Sequence, residues 1–174
     1  MFFQVVFIAL LALLPMVNPP TTATLLLGLS KGMSREHVRR QINLAAIYLF
    51  ATLCVSFFIG SSILDLFGIS IPGLRLAGGL IIAFIGFRML FPAPSQSAGV
   101  DINQSIAFVP LTMPSMCGPG TMALVISGAA QIAELPDEYN RFVIYGAMVT
   151  AFARMSLISG GVLKLADPVC KILG

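Results

Sequence analysis

The chain has 174 residues, of which 57% are hydrophobic and only 10% charged, with a net charge of +3 and a mean hydropathy of +0.96. Soluble domains carry about a quarter of their residues as charged side chains, so this composition excludes an ordinary water-soluble fold. An integral membrane protein is expected, with the lipid bilayer and a small-molecule substrate as partners and no role for nucleic acid. In lipid every backbone donor and acceptor must be satisfied internally, which leaves helices or a closed barrel. A barrel needs short alternating segments, and the apolar runs here are long and uninterrupted, so the fold class is all-α.

The first run, Phe2 to Leu29, has no basic region before it and no small-residue cleavage pattern after it. It reads as a retained helix, not a removed signal peptide. A membrane crossing needs about 20 residues, so this run is too long for one straight span. Its middle carries Leu14-Pro15-Met16-Val17-Asn18-Pro19-Pro20-Thr21-Thr22. Proline lacks the amide hydrogen and clashes with the carbonyl four residues back, so a helix break is predicted there.

The segment Lys31 to Arg40 follows, holding Lys31, Arg35, Arg39 and Arg40, the densest basic cluster in the chain. Read as a loop, it faces the cytoplasm by the positive-inside rule, which places the N-terminus in the periplasm. A contact with anionic lipid would demand the same side. The second span is predicted from Ile42 to Phe67 and the third from Leu74 to Phe91. Asp65 and Arg75 flank the turn between them and are read as capping and pinning it. Gly78, Gly79 and Gly86 suit close helix contacts in the third span, and Arg88 marks its inner end.

A fourth run, Ile106 to Ile132, is again overlong and again broken, at Met113-Pro114-Ser115-Met116-Cys117-Gly118-Pro119-Gly120-Thr121. Glu134, Asp137 and Glu138 form an acidic outer loop, with Arg141 against the trend. The fifth span runs from Phe142 to Leu165, with Lys164 and Lys171 on the inner side.

A shift of 99 positions lays Pro15 on Pro114, Pro20 on Pro119 and Thr22 on Thr121, with Asn18 on Cys117 and Thr21 on Gly120. Each copy interrupts an overlong span and is followed by a plain one. A unit of three spans repeated once enters the membrane from opposite faces, the inverted-topology arrangement of many secondary transporters. The expected architecture is a single membrane domain over 1–174, a 3+3 inverted repeat with broken first and fourth helices (repeat 1, 1–98; repeat 2, 99–174). The counterpart of the third span would begin near position 172, so the sixth helix is expected to be missing from this chain. Either it is a truncated form of a six-span protein or a partner covers the seam; homo-oligomerisation stays open.

A helix restarting after proline points free amides and a partial positive charge into the membrane. Asn18, Pro19, Pro20, Thr21 and Thr22 in the first copy, and Ser115, Gly118, Pro119, Gly120 and Thr121 in the second, are therefore the candidate substrate-binding residues, near the midplane. The alternative is a pair of packing kinks. Arg154, deep in the fifth span, either faces a carboxylate substrate or snorkels to the surface.

The only histidine, His37, lies in the basic segment, so metal, haem and serine–histidine protease chemistry are unsupported. With no mid-span carboxylate and no phosphate-binding loop, neither a proton relay nor ATP hydrolysis is indicated. Cys54, Cys117 and Cys170 are spaced as isolated packing residues. No cofactor, no metal and no enzymatic activity are expected.

Three stretches, VNPPTT at Val17 to Thr22, FGISIPGLRLAGGLIIAFIGFRMLFP at Phe67 to Pro92, and IAFVPLTMP at Ile106 to Pro114 with GPGT at Gly118 to Thr121, resemble the MarC family of bacterial inner-membrane proteins. The resemblance covers nearly the whole chain and implies a six-span protein grouped with the lysine-exporter-like transporters, whose members continue for one helix beyond this chain's end. The family name refers to multiple antibiotic resistance and names no substrate. The resemblance is weaker from Glu134 onward, and Arg154 is not carried over from it. Two functions compete: a transporter or exporter of a small polar or anionic metabolite, and a non-transporting membrane scaffold or assembly factor.

Overall fold

The computed structural model describes residues 2–30, 32–70, 105–133, 135 and 140–173, with scattered positions between 72 and 87; at 61 and 167–173 only the backbone is described. Most of the predicted third span, including Arg75, Gly78, Gly86 and Arg88, lies outside these residues, as do Lys31, Glu134, Asp137 and Glu138.

All the described elements are helical: α1 (Phe2–Val17), α2 (Pro19–Leu29), α3 (Arg35–Leu66), the irregular α4 (Ala107–Met116), α5 (Pro119–Ala133) and α6 (Arg141–Leu173). Phe2–Leu29, Arg35–Gly60 and Arg141–Ala166 are each long and apolar enough to cross a membrane, and the bent pair α4 and α5 makes a fourth candidate. The first, second, fourth and fifth predicted spans thus correspond to helices.

The segment Lys31 to Arg40 departs from the loop reading. Ser34 adopts an extended conformation and accepts a hydrogen bond from the His37 amide, so α3 begins at Arg35, with Glu36 in its first turn. An N-cap hydroxyl followed by an acidic residue satisfies orphan amides and the positive helix end together. The arginines therefore project from a helix end instead of a loop, and Arg35, Arg39 and Arg40 are exposed.

Packing follows the helical period. On α3 the buried residues Val38, Ile42, Ala45, Leu49, Leu53, Phe57 and Leu64 recur every three, four or seven positions along one stripe. Phe57 meets Phe152 and Tyr145 of α6 edge to face, with ring centroids 5.5 and 5.8 Å apart. Val6 and Ala9 of α1 pack with Ala147 and Ala151 of α6. Small residues allow close approach where dispersion, not water exclusion, drives association in lipid. Outside these seams the apolar side chains face outward: Phe3, Phe7, Ile8 and Leu11 of α1 are all more than half exposed. A soluble monomer rarely shows so continuous an apolar patch, whereas a bilayer solvates it.

Four bodies form the described bundle. α6 packs on α1, α2 and α3, while α4 and α5 pack on α3 and on the α1–α2 body. The α1–α2 body and α3 thus lie on one diagonal, α6 and the α4–α5 body on the other.

Candidate functional site

In the first proline segment a single residue leaves the helix. Asn18 sits in the left-handed region, at φ 42° and ψ 64°. The local sequence explains this in two ways. The proline that follows disfavours right-handed helical geometry at position 18, and asparagine is among the few side chains that tolerate the left-handed well. α2 restarts at once with Pro19 and Pro20 in its first turn, where the missing amides cost nothing. Pro15 is accommodated inside α1. Asn18 also caps α2: its Oδ1 accepts from the Thr21 amide at 3.4 Å.

The second segment is disrupted more deeply. Val109 and Met113, each preceding a proline, take extended dihedrals (φ −120°, ψ 125° and φ −113°, ψ 127°), the conformation that a following proline imposes. α4 and α5 then meet at a 65° bend, whereas α1 and α2 together form one 28-residue span. Two X-Pro dipeptides within α4, plus Gly118 at the corner, account for the larger turn. A β-carbon on Gly118 would lie 2.9 Å from the Pro114 carbonyl oxygen, so only glycine fits there without a shift.

The two breaks meet. Thr22, fully buried, shares a 2.7 Å hydroxyl–hydroxyl hydrogen bond with Ser115. Thr121, also buried, donates to the Met16 carbonyl at 3.5 Å and to the Met116 carbonyl at 3.4 Å. Adding 99 turns Thr22 into Thr121 and Met16 into Ser115, so each break reaches the other through corresponding positions.

Of the remaining sequence candidates, Pro19 and Gly120 are buried, Asn18 and Gly118 half-buried, and Thr21, Pro20 and Pro119 exposed. Arg154 stands apart. It is exposed on α6, and no hydrogen bond joins it to either break among the described residues.

Several polar residues at the core escaped the sequence reading. Gln41, 3% exposed, accepts through Oε1 from both the Ser105 hydroxyl and the Ala107 amide at 3.0 Å, while its Nε2 lies 3.1 Å from His37 Nε2. It fastens the start of α4 to α3. Thr112 donates to the carbonyls of Ala45 (3.2 Å) and Ala107 (2.7 Å), satisfying backbone that the α4 irregularity frees. Ser156 and Ser159 of α6 are buried with no hydrogen-bond partner. A polar residue at the edge of an apolar run, as Gln41 is, was the one available signal.

Cys54 and Cys117 are free thiols, the latter buried at the second break. No cluster of three or more potential metal ligands occurs among the described residues.

A model of the MarC family integral membrane proteins matches residues 3–174. The chain belongs to the MarC family. It is similar to the UPF0056 inner membrane protein MarC of Escherichia coli O1:K1, 42% identical over 183 residues that cover 99% of this chain and 82% of the relative. The proteins of that name from Salmonella typhimurium (40% over 186 residues) and Citrobacter koseri (42% over 183) match with the same coverage. No solved structure matches. The family fits an all-helical membrane protein; within this MarC family member the paired breaks are the place where polar groups and irregular backbone coincide.

Proposed function

We propose that this MarC family protein is a secondary transporter or exporter of a small polar metabolite in the bacterial inner membrane, acting without enzymatic chemistry. The observation that carries the reading is the reciprocal contact of the breaks, Thr22 with Ser115 and Thr121 with Met16. Contacts that exchange under one sequence offset are what a two-fold axis between repeats 1–98 and 99–174 would produce, and inverted repeats place their substrate sites at such an axis. The inner-membrane location rests on the names of the relatives. The basic start of α3 on the cytoplasmic side, with the N-terminus periplasmic, follows from the positive-inside rule.

In this reading the 2.7 Å Thr22–Ser115 bond is a closed state. A substrate hydroxyl or carbonyl replaces it, and the two repeats rock about the axis to expose the site alternately. Deleting the gene and screening growth against metabolite overload and toxic analogues would reveal the substrate. Flux of that solute in reconstituted vesicles then tests the site: Asn18→Ala and Thr121→Val are expected to abolish it while leaving insertion intact, and normal flux in both would end the proposal.

One observation favours the competing scaffold reading: Thr22, Ser115 and Thr121 already have hydrogen-bond partners within the protein, as a packing node would. A scaffold predicts that the same variants lower stability or partner recovery instead.

A further inference from the structure

Among the described residues, Ser156 and Ser159 are the two buried hydroxyls without a partner, at 5% and 0% exposure. A buried helical serine or threonine ordinarily returns its proton to the carbonyl four residues back. Even the less buried Thr52 and Thr150 do so, each at 2.7 Å. Ser156 and Ser159 do not, and an unmet hydroxyl in an apolar interior calls for a partner from outside the chain, a water or a solute.

Their place in the bundle says which way they face. At about 100° per residue, Ser159 falls between two faces of α6. One carries Phe152, which meets Phe57 of α3, and the other carries Ala147 and Ala151, which pack with α1. The direction between those neighbours is the diagonal toward α4. Ser156 lies one turn earlier, between Phe152 and Gly160 on the face turned to α3. Depth follows from a chain of contacts. A β-carbon on Gly160 would sit 3.5 Å from that of Ala46, and the adjacent Ala45 carbonyl accepts from Thr112 of α4. Ser159 is therefore level with Thr112, three residues before Ser115.

We propose that Ser159 forms the α6 wall of the site at the breaks, with Ser156 beside it at the seam with α3, and that the site takes a small uncharged solute bearing hydroxyl, carbonyl or amide groups. This deepens the transport reading and rests on it for the site's purpose. The neutrality follows from the lining. Every buried polar side chain among the described residues is a hydroxyl or an amide. At the N-terminus of α2 the Thr21 amide is already taken by Asn18 Oδ1, which leaves the α5 N-terminus to offer its amides to a carbonyl or hydroxyl oxygen of the solute. An ion there would lose its hydration without a countercharge, whereas a neutral solute exchanges hydrogen bonds with serine and threonine hydroxyls that both donate and accept.

The test is thiol reactivity in detergent-solubilised full-length protein, with the native cysteines replaced. Ser159→Cys and Ser156→Cys are treated with three methanethiosulfonates carrying hydroxyethyl, sulfonatoethyl and trimethylammonioethyl groups. Ala151→Cys, facing α1, is the packing control. The proposal expects Ser159→Cys to react with the neutral reagent at least tenfold faster than with either ion, and Ala151→Cys to react with none. Ser156→Cys serves in its place should Ser159→Cys lose its monodisperse elution profile. Serine-position cysteines as inert as Ala151→Cys would overturn the proposal, and so would equal or faster labelling by an ionic reagent. Labelling is independent of flux, so selective neutral labelling alongside normal flux in Asn18→Ala and Thr121→Val would remove the reading of the breaks as the transport site and leave this solute-accessible wall standing.

Discussion

Thr22 and Ser115 lie 93 residues apart in sequence, yet their hydroxyl oxygens approach to 2.7 Å at the point where two interrupted helices touch. Only one proton can lie between them. The Asn18 carbonyl, 3.5 Å from Thr22 Oγ1, offers that threonine a second acceptor, so Ser115 can donate to Thr22 while Thr22 donates backward along its own helix. The bond thus links the second break to the residue that defines the first.

A double-mutant cycle on Thr22→Val and Ser115→Ala measures that link. A neutral buried hydrogen bond contributes about 1 kcal/mol net, and the coupling in denaturant unfolding from detergent micelles should be of that size. Additive effects of the two substitutions would show that the hydroxyls do not interact.

Gly118 should resist substitution. A methyl group there meets a backbone oxygen, which cannot rotate away as a side chain can, and overpacking of this kind costs about 1–3 kcal/mol. Gly28 in α2 is the matched control, with nothing within 4 Å of an added β-carbon. Gly28→Ala should be neutral or stabilising by up to about 1 kcal/mol through helix propensity. The expected outcome is a lowered melting temperature for Gly118→Ala and an unchanged or raised one for Gly28→Ala.

Gly60 of α3 lies directly against the Ile126 side chain of α5. A β-carbon on Gly60 would overlap the Ile126 side chain. Gly60→Ala is expected to lower the melting temperature, and Ile126→Ala in the same chain to recover much of the loss by vacating the space. Failure of the second substitution to rescue the first would mean that the helices are spaced differently.

Gln41 holds the start of α4 through the Ala107 amide, a buried donor that no other described residue serves. Gln41→Leu leaves that amide unpaired at a cost of about 1–3 kcal/mol. Hydrogen exchange should accelerate at Ala107 while the amides in the middle of α3 keep their protection.

Much of this architecture was legible from hydropathy and proline alone. Phe2 to Leu29 emerged as a single interrupted span because twenty-eight residues outrun one bilayer crossing and the proline cluster marks where the excess is used. The 99-residue offset brought out Thr22 and Thr121 as corresponding positions, and both lie at the contact between the breaks. The degree of each break was not legible. Proline spacing is alike in the two copies, but the bend depends on whether the residues before proline can leave the helix singly, as Asn18 does, or in series, as Val109 and Met113 do. The polar core was also hidden. Gln41, Thr112, Ser156 and Ser159 sit within or beside apolar runs, and a hydropathy window averages them away; only tertiary packing shows that they point inward. Arg154 illustrates the reverse. Its charge drew attention to a position that the fold leaves exposed on α6.

The most direct test of the central claim is a double-cysteine lock, Thr22→Cys with Ser115→Cys, in a background without native thiols and in the native membrane. Side-chain atoms this close admit a disulfide. Mild oxidation should cross-link the pair within one chain and stop flux of the solute identified by the growth screen, with reduction restoring it. A cross-link that forms and leaves flux unchanged, or a pair that fails to cross-link at all, would contradict the claim that the two breaks meet to form the transport site.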